Sequence, residues 1–264
     1  MEFNIFLISF FGLILGSFLN MLIYRLTLGI SLFNPKRSFC PICNKKIQWY
    51  ENIPVLSFIF LKGKCSNCHN KISLTYPLVE ILTAFITVIL YLKLGLTKEL
   101  CFMLLISYIL ILLSFIDFKY KAVPDYLLVV LVLVAFTYML IYKVENIVVF
   151  FIFAGGIFMM DFFVTFYIQN IKSYLLKDDS LKNQKAMGEG DIPIIAIIGG
   201  LLGLKLGLIA IFLSAVFAII PSIINITLKK EIETAFIPYL SLGFFITYVF
   251  EKNLQKILEW LNLL

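Results

Sequence analysis

The sequence predicts an all-α polytopic membrane protein with about eight transmembrane helices and one small loop subdomain. Apolar residues make up 61% of the 264 residues and charged residues only 14%, whereas soluble domains average near 45–50% apolar and ~25% charged residues. The mean hydropathy is +1.00, and the apolar residues occur in runs near the ~20 residues that a spanning helix needs. These observations exclude a disordered chain, a secreted disulfide scaffold and an ordinary cytosolic enzyme.

The first apolar run covers residues 5–26. Because this run is too long for a signal-peptide core and residues 1–4 carry no basic side chain, we expect a retained span rather than a cleaved leader. Seven further runs predict the remaining spans, the sixth being short and rich in glycine. They are 74–94, 99–118, 124–142, 146–170, 192–203, 206–228 and 236–250.

Basic residues predict the orientation, because cytoplasmic loops carry an excess of Lys and Arg. With eight spans the loops alternate between two faces, and 16 of the 22 basic residues fall on the face that holds 25–73, 119–121, 171–190 and 229–233. We therefore expect this face to be cytoplasmic and both termini to lie outside. The membrane orientation then explains the net charge of +6 without a nucleic-acid partner. The sequence also has no basic cluster with interleaved aromatic residues that could form a nucleic-acid site.

Four domains follow from this pattern: a first helix at 1–26, a loop subdomain at 27–73, the main transmembrane domain at 74–250 and a tail at 251–264. The apolar residues of the tail share one helical stripe. This stripe predicts a helix that lies flat on the outer surface, with Trp260 at the level of the lipid headgroups. The stripe consists of Leu254, Ile257, Leu258, Leu261 and Leu264.

Two Cys-x-x-Cys pairs in the loop predict a metal site. The pairs are Cys40-Pro-Ile-Cys43 and Cys65-Ser-Asn-Cys68. Their spacing is typical of a four-thiolate zinc site, which is closed and structural, and a reducing cytoplasm disfavours disulfides. Free thiols or a redox pair are the alternative. We interpret His69 as a solvated neighbour and Cys101 as a small buried residue of the third span.

Five acidic residues lie in or beside the predicted spans, where carboxylates are costly and usually functional. They are Glu80, Asp117, Asp125, Asp161 and Asp191. Asp117 ends the third span and Asp191 opens the sixth, so the topology places both at the cytoplasmic surface, where they can meet. Gly188 and Gly190 allow the backbone before Asp191 to bend and a peptide to approach it. Asp161 lies deeper, in the fifth span.

Two facing carboxylates that share one proton can act on a peptide bond. One deprotonates a water molecule while the other protonates the carbonyl oxygen or the leaving amine. Each acid also has an ordinary structural interpretation. Asp191 and Asp125 can cap helices, Asp161 can make a polar contact between spans, and Glu80 can contact the loop or a neighbouring helix.

The sequence resembles the type IV prepilin leader peptidases, which are membrane aspartic proteases, nearly from end to end. Six blocks in the family's order carry the resemblance: Gly16–Asn20 with Tyr24-Arg25, Arg37–Cys43 with Glu51–Pro54, Tyr76–Glu80, Ile116-Asp117 with Val123–Asp125, Gly188–Asp191, and Phe236–Leu240. The fifth block matches the Gly-x-Gly-Asp motif of the family. The sequence departs from the family at Pro193, where a Lys is frequent, and at Ile237, where a Gly is common.

The resemblance implies a function and a set of site residues. Asp117 and Asp191 would form the catalytic pair, and Gly188, Gly190 and Asp125 would support the loop and the substrate. The enzyme would remove the basic leader from pilin-like precursors, after a Gly and before an apolar residue. Many members with a cysteine loop then methylate the new N-terminus with S-adenosylmethionine. Candidates for the methyl-donor region, by position only, are Glu51, Asn52 and Glu80.

Three other functions stay open at this level. The first is an ion- or proton-coupled transporter that uses Asp117, Asp161 or Asp191; transporters place their acids near the bilayer midplane, whereas the Asp117–Asp191 pair is predicted at one boundary. The second is an intramembrane protease resembling the presenilins or signal peptide peptidases, which share Gly-x-Gly-Asp but lack such a cysteine loop. The third is a zinc-dependent membrane scaffold. The oligomeric state is not predicted.

Overall fold

The computed structural model describes residues 2–35, 37–227 and 234–260, and this part of the chain is mostly helical. Within those ranges the extended structure is limited to two isolated antiparallel β-bridges, Phe39–Lys46 and Lys64–Lys71. The all-α class is therefore confirmed. The helices are α1 (Glu2–Thr27), α2 (Leu56–Phe60), α3 (Thr75–Leu94), α4 (Lys98–Tyr120), α5 (Asp125–Tyr142), α6 (Ile147–Phe166), α7 (Ser173–Leu176), α8 (Asp191–Leu202), α9 (Leu204–Thr227), α10 (Ile237–Val249) and α11 (Glu251–Trp260).

Each predicted span coincides with one apolar helix to within a few residues. Among the described residues, six apolar helices are long enough to cross a membrane. The other two, α8 and α10, have only 12 and 13 residues, fewer than the ~20 that a bilayer requires. The apolar helix that contains α6 continues through a π-helical segment, Tyr167–Lys172, to Leu176. Its 33 residues measure about 50 Å at 1.5 Å per residue, so its last turns extend past a ~30 Å hydrocarbon core.

The first compact unit comprises Met1–Ile116 and is built around the contact of α1 with α3. Small residues allow this contact. A Cβ atom added to Gly12 would lie 2.7 Å from the Cα of Ala84, and one added to Gly16 would lie 2.6 Å from the Cα of Glu80. Close approach through glycine is the usual packing mode between membrane helices, which explains why glycine stands in this part of α1.

Arg25 anchors the start of the cysteine loop to the end of α1. The residue is only 3% exposed, and its guanidinium donates hydrogen bonds of 2.7–3.2 Å to four backbone carbonyl oxygens. The acceptors belong to Ser31, Leu32, Pro35 and Arg37. A buried charge is tolerated when its donors are satisfied in this way, so Arg25 holds the backbone at these four positions in place.

The second compact unit comprises Asp117–Leu264, and α8 is its centre. This short helix packs against α5, α6, α9 and α10, and every residue from 194 to 202 is buried. A helix that is apolar on all sides is expected to be enclosed by protein. Lys143 donates a 3.0 Å hydrogen bond from Nζ to the carbonyl oxygen of Leu201, which satisfies a free carbonyl at the C-terminal end of α8.

Two peripheral predictions have different outcomes. Cys101 is exposed on α4, so the prediction that it is buried is wrong; composition marks a residue as apolar but cannot tell a lipid-facing position from a protein-facing one. The predicted tail helix is present as α11, which ends at Trp260. Leu261 and Leu264, which complete its predicted stripe, lie outside the described residues.

Candidate active site

Asp117 and Asp191 lie together in the second unit. Asp117 is in the last turn of α4, and Asp191 is the first residue of α8. Their side chains are buried, with 8% and 7% of the residue surface exposed, and they are close enough for the charge of Asp117 to act on the carboxyl group of Asp191. Two helices that are distant in sequence therefore bring the two acids into one site.

The beginning of α10 supplies the hydrogen bond that holds Asp117. The backbone N–H of Ile237 donates to Oδ2 of Asp117 over 3.1 Å, and the backbone of Phe236 also contacts this carboxyl group. The first N–H groups of a helix have no partner within the helix and favour an anion. The family's frequent Gly at position 237 is absent here, but the bond uses only the backbone, which an Ile supplies equally well.

The two glycines before Asp191 have a steric role. A Cβ added to Gly188 would lie 3.1 Å from Oδ2 of Asp191, and one added to Gly190 would lie 2.8 Å from Cγ2 of Val123. The carbonyl oxygen of Gly188 also accepts a 3.0 Å hydrogen bond from the backbone N–H of Asp191. Neither glycine is among the described residues with positive φ, so the expected need for a special bend is replaced by a need for space.

An apolar groove lies between α5 and the first turn of α8. Asp125 is exposed at the start of α5 and stands at the groove with Pro193, which follows Asp191 by two residues. The cavity measures about 320 Å³. Pro193 fits the first turn of α8 because its missing N–H would have no helical partner there. The other lining residues are Leu128, Val129, Val132 and Leu133.

Asp161 forms its hydrogen bonds with residues outside the acid pair. Its Oδ1 accepts the backbone N–H of Met187 over 3.1 Å and the hydroxyl of Thr165 over 3.4 Å. The sequence suggested a polar contact between two spans. The structure instead places the contact between α6 and the loop that precedes Gly188.

The four cysteines of the loop form one cluster in the first unit. Their Sγ atoms all lie within 4.8 Å of one another, and the Cys40–Cys68 and Cys43–Cys65 pairs are 3.9 and 4.0 Å apart. Tetrahedral zinc with Zn–S bonds of ~2.3 Å requires S–S distances of about 3.8 Å. The donor set and its geometry therefore fit a four-thiolate metal site. His69 is exposed beside the cluster, which confirms its interpretation as a solvated neighbour.

The two Cys-x-x-Cys turns are equivalent in structure. Asn44 and His69 each follow the second cysteine of a pair, each has a positive φ (55° and 56°), and each donates its N–H to the carbonyl oxygen of the pair's first cysteine. The short repeat Cys-x-x-Cys-x-x-Lys-Ile at 40–47 and 65–72 is the signal in the sequence that marks this equivalence.

Backbone donors around the cluster favour thiolates. The N–H groups of Cys68 and Asn67 lower the pKa of the Cys65 thiol to about 6, and that of Lys45 lowers the pKa of Cys43. Burial instead raises the pKa of Cys40 to about 11. A bound cation deprotonates its thiol ligands outright, so the turns supply part of the stabilisation that a thiolate site needs.

The candidates for a methyl-donor region have structural partners in the first unit. Oε2 of Glu80 accepts the backbone N–H of Val55 over 2.8 Å. Val55 has φ 61°, a strained value for a β-branched residue. Oε2 of Glu51 accepts the N–H of Gln48 over 2.9 Å, and this bond lowers the pKa of Glu51. Asn52 is exposed. The suggested contact of Glu80 with the loop is therefore present, and the methyl-donor role of all three stays a prediction.

Comparisons with known proteins agree on one family. Residues 10–94 match the model of the bacterial peptidase A24 N-terminal domain, and residues 104–223 match the type IV leader peptidase family. A prepilin leader peptidase/N-methyltransferase of Vibrio cholerae serotype O1 is 36% identical to this chain, in an alignment that covers 81% of this chain and 83% of the relative. Proteins of the same name from Aeromonas hydrophila and Neisseria gonorrhoeae are 29% and 27% identical over 95% and 94% of this chain, and over 92% and 91% of their own lengths. No solved structure matches the chain.

Proposed function

The chain belongs to the type IV leader peptidase family, and we propose that it is an aspartic endopeptidase that removes the leader peptide from type IV prepilin-like precursors. The observation that carries the proposal is the pair of buried carboxylates, Asp117 and Asp191, in which the charge of Asp117 acts on the carboxyl group of Asp191. The names of the relatives support the substrate class. Six apolar helices among the described residues, together with these relatives, indicate a multi-pass protein of the inner membrane.

In the proposed reaction the pair holds one shared proton. The N–H of Ile237 favours negative charge on Asp117, so Asp117 accepts a proton from the attacking water and Asp191 donates its proton to the carbonyl oxygen. The water oxygen bonds to the carbonyl carbon and forms a tetrahedral diol. The C–N bond then breaks as the leaving amine takes a proton from the pair, which releases the leader with a new carboxyl group.

The orientation is also part of the proposal. The acids lie at the end of α4 and the start of α8, which is one boundary of the membrane if both helices lie across it. The excess of basic residues supports a cytoplasmic site with both termini outside. The apolar groove beside Pro193 would hold apolar residues that follow the scissile bond. Gly188, Gly190 and Asp125 would support the loop and the substrate.

Two cofactors belong to the proposal. We expect Cys40, Cys43, Cys65 and Cys68 to hold a structural Zn²⁺, which cross-links the loop and leaves no position for water. We expect the released N-terminus to be methylated with S-adenosylmethionine as donor, and the naming of the relatives supports this second activity. Glu51, Asn52 and Glu80 remain the predicted donor region.

Mass spectrometry of a co-expressed prepilin precursor tests the proposal, because it reports the cleavage site and N-methylation together. We expect wild-type protein to release the leader, and Asp117→Asn and Asp191→Asn to reduce cleavage by about 10³-fold or more. Asp179→Asn, an exposed loop position, is the matched control. Full cleavage by folded Asp117→Asn or Asp191→Asn protein would refute the mechanism, and proton flux in vesicles without cleavage would favour a transporter.

A further inference from the structure

We propose that three polar side chains on the helix formed by α6 and its π-helical extension act as positioning residues for Asp191. This inference rests on the proposed function. The residues are Asp161, Thr165 and Gln169, which we call the polar row. They are spaced four residues apart and therefore share one helix face.

Each member of the polar row holds the loop that precedes the Gly-x-Gly-Asp motif. The carboxylate at 161 accepts the N–H of Met187 over 3.1 Å, and the hydroxyl at 165 accepts the N–H of Ala186 over 3.0 Å. The amide at 169 donates to the carbonyl oxygen of Gln184 over 3.1 Å. The loop thus runs antiparallel to the helix and is fastened at three consecutive points.

The donors and acceptors in the polar row are consistent with one another. Thr165 donates its hydroxyl proton to Asp161 over 3.4 Å while its oxygen accepts from the backbone. The charge of Asp161 also acts on Lys185, which forms an ion pair with Glu189. A carboxylate within an apolar helix is costly, so these loop partners explain why an acid stands at position 161.

The last fixed point of this loop lies close to Asp191. After Met187 only Gly188, Glu189 and Gly190 remain before the catalytic residue. Two glycines in this stretch give the chain more conformational freedom than other residues would. Without the bond from Met187, the N-terminal side of Asp191 would rely on the bond to the Gly188 carbonyl oxygen and on the packing of Gly190 against Val123. Placement of Asp191 against Asp117 therefore depends on the polar row.

Paired substitutions at position 161 test whether the acceptor oxygen is what matters. Asp161→Asn keeps an Oδ1 acceptor, whereas Asp161→Ala removes it. We expect Asp161→Ala to lower kcat for precursor cleavage by about 10- to 100-fold with a change in KM of less than about three-fold, and Asp161→Asn to restore most of the rate. Thr165→Val, of similar shape, should also lower kcat. The double variant should lose less than the product of the two effects, because both residues hold one segment.

Amide hydrogen exchange provides a readout that does not depend on cleavage. We expect faster exchange at Ala186 and Met187 in Asp161→Ala than in wild type, with the core of α8 unchanged. Asp179 lies on the same loop, where its carboxylate pairs with Lys182. The control variant Asp179→Ala should leave kcat and amide exchange at wild-type values.

The possible outcomes separate this inference from the proposed function. Wild-type kcat in both Asp161→Ala and Thr165→Val would overturn the inference. Loss of activity in Asp191→Asn would in that case still support the proposed protease function. An Asp161→Asn variant as inactive as Asp161→Ala would also overturn it, because charge rather than the acceptor would then matter. If wild-type protein cleaves no precursor, the exchange measurement still tests whether the polar row anchors the loop. Unchanged amide exchange at 186–187 in Asp161→Ala would overturn this anchoring, and faster exchange would support it.

Discussion

Asp117 accepts a hydrogen bond from the backbone N–H of Ile237 over 3.1 Å, although 120 residues separate the two in the chain. The bond ties the end of α4 to the beginning of α10. Because the donor belongs to the first turn of a helix, it is otherwise without a helical partner. The same residue also lies near Gly190, which directly precedes Asp191, since a Cβ added to Gly190 would lie 3.7 Å from Cδ1 of Ile237. The start of α10 therefore contacts Asp117 and approaches the residue before Asp191.

Gly190→Ala should lower precursor cleavage by about 10-fold or more, because its Cβ would lie 2.8 Å from Cγ2 of Val123 and small displacements at a catalytic residue are costly. Val123→Ala removes that methyl group, so the double variant Gly190→Ala/Val123→Ala should recover activity. Gly155→Ala, where the added Cβ meets nothing within 4 Å, is the control. The cleavage rate is measured for the two single variants, the double variant and the control. A double variant that recovers no activity would contradict the steric explanation.

Removal of one cluster thiol should abolish metal binding. We expect about one zinc per wild-type chain and close to none in Cys40→Ser, because structural sites need all four ligands. Cys101→Ser is the matched control, since Cys101 is an exposed cysteine outside the cluster. Elemental analysis of purified protein measures the metal. A Cys40→Ser protein with full zinc content would show that the cluster is not the site.

Arg25→Lys should destabilise the first part of the cysteine loop although the charge is kept. A lysine has one nitrogen and cannot donate along the fork of a guanidinium, so several of the four carbonyl acceptors lose their donor. Each lost bond to a charged donor costs about 1.5–3 kcal/mol. Thermal unfolding and limited proteolysis within 31–37 report the effect. Arg37→Lys, at an exposed position, should behave like wild type in both measurements.

Glu80→Gln and Glu80→Ala should differ in stability. The amide oxygen of glutamine can still accept the Val55 N–H, whereas alanine leaves this strained residue without its partner. We expect Glu80→Ala to lower the free energy of unfolding by about 1–3 kcal/mol and Glu80→Gln to have less effect. N-methylation measured on the same variants separates the roles: loss of methylation in a stable Glu80→Gln protein would indicate a part in donor binding instead.

The helices and the cysteine cluster follow directly from the sequence. A bilayer demands long apolar runs in helical form, so the run lengths predict the spans. The repeated Cys-x-x-Cys turns predict the clustered thiols because each turn is local and only their meeting is long-range. The six ordered blocks identify the family, which the comparisons confirm.

Only tertiary packing decided the rest. Hydropathy cannot tell that α8 is enclosed by four helices or that Cys101 is exposed, because lipid and protein interior are equally apolar. The partners of Asp117 and Asp161 are backbone N–H groups at Ile237 and Met187. Every residue except proline carries such a group, so no pattern in the sequence can point to these two. The sequence by itself determined which acids can act, and the packing of helices distant in the chain decided which groups they meet.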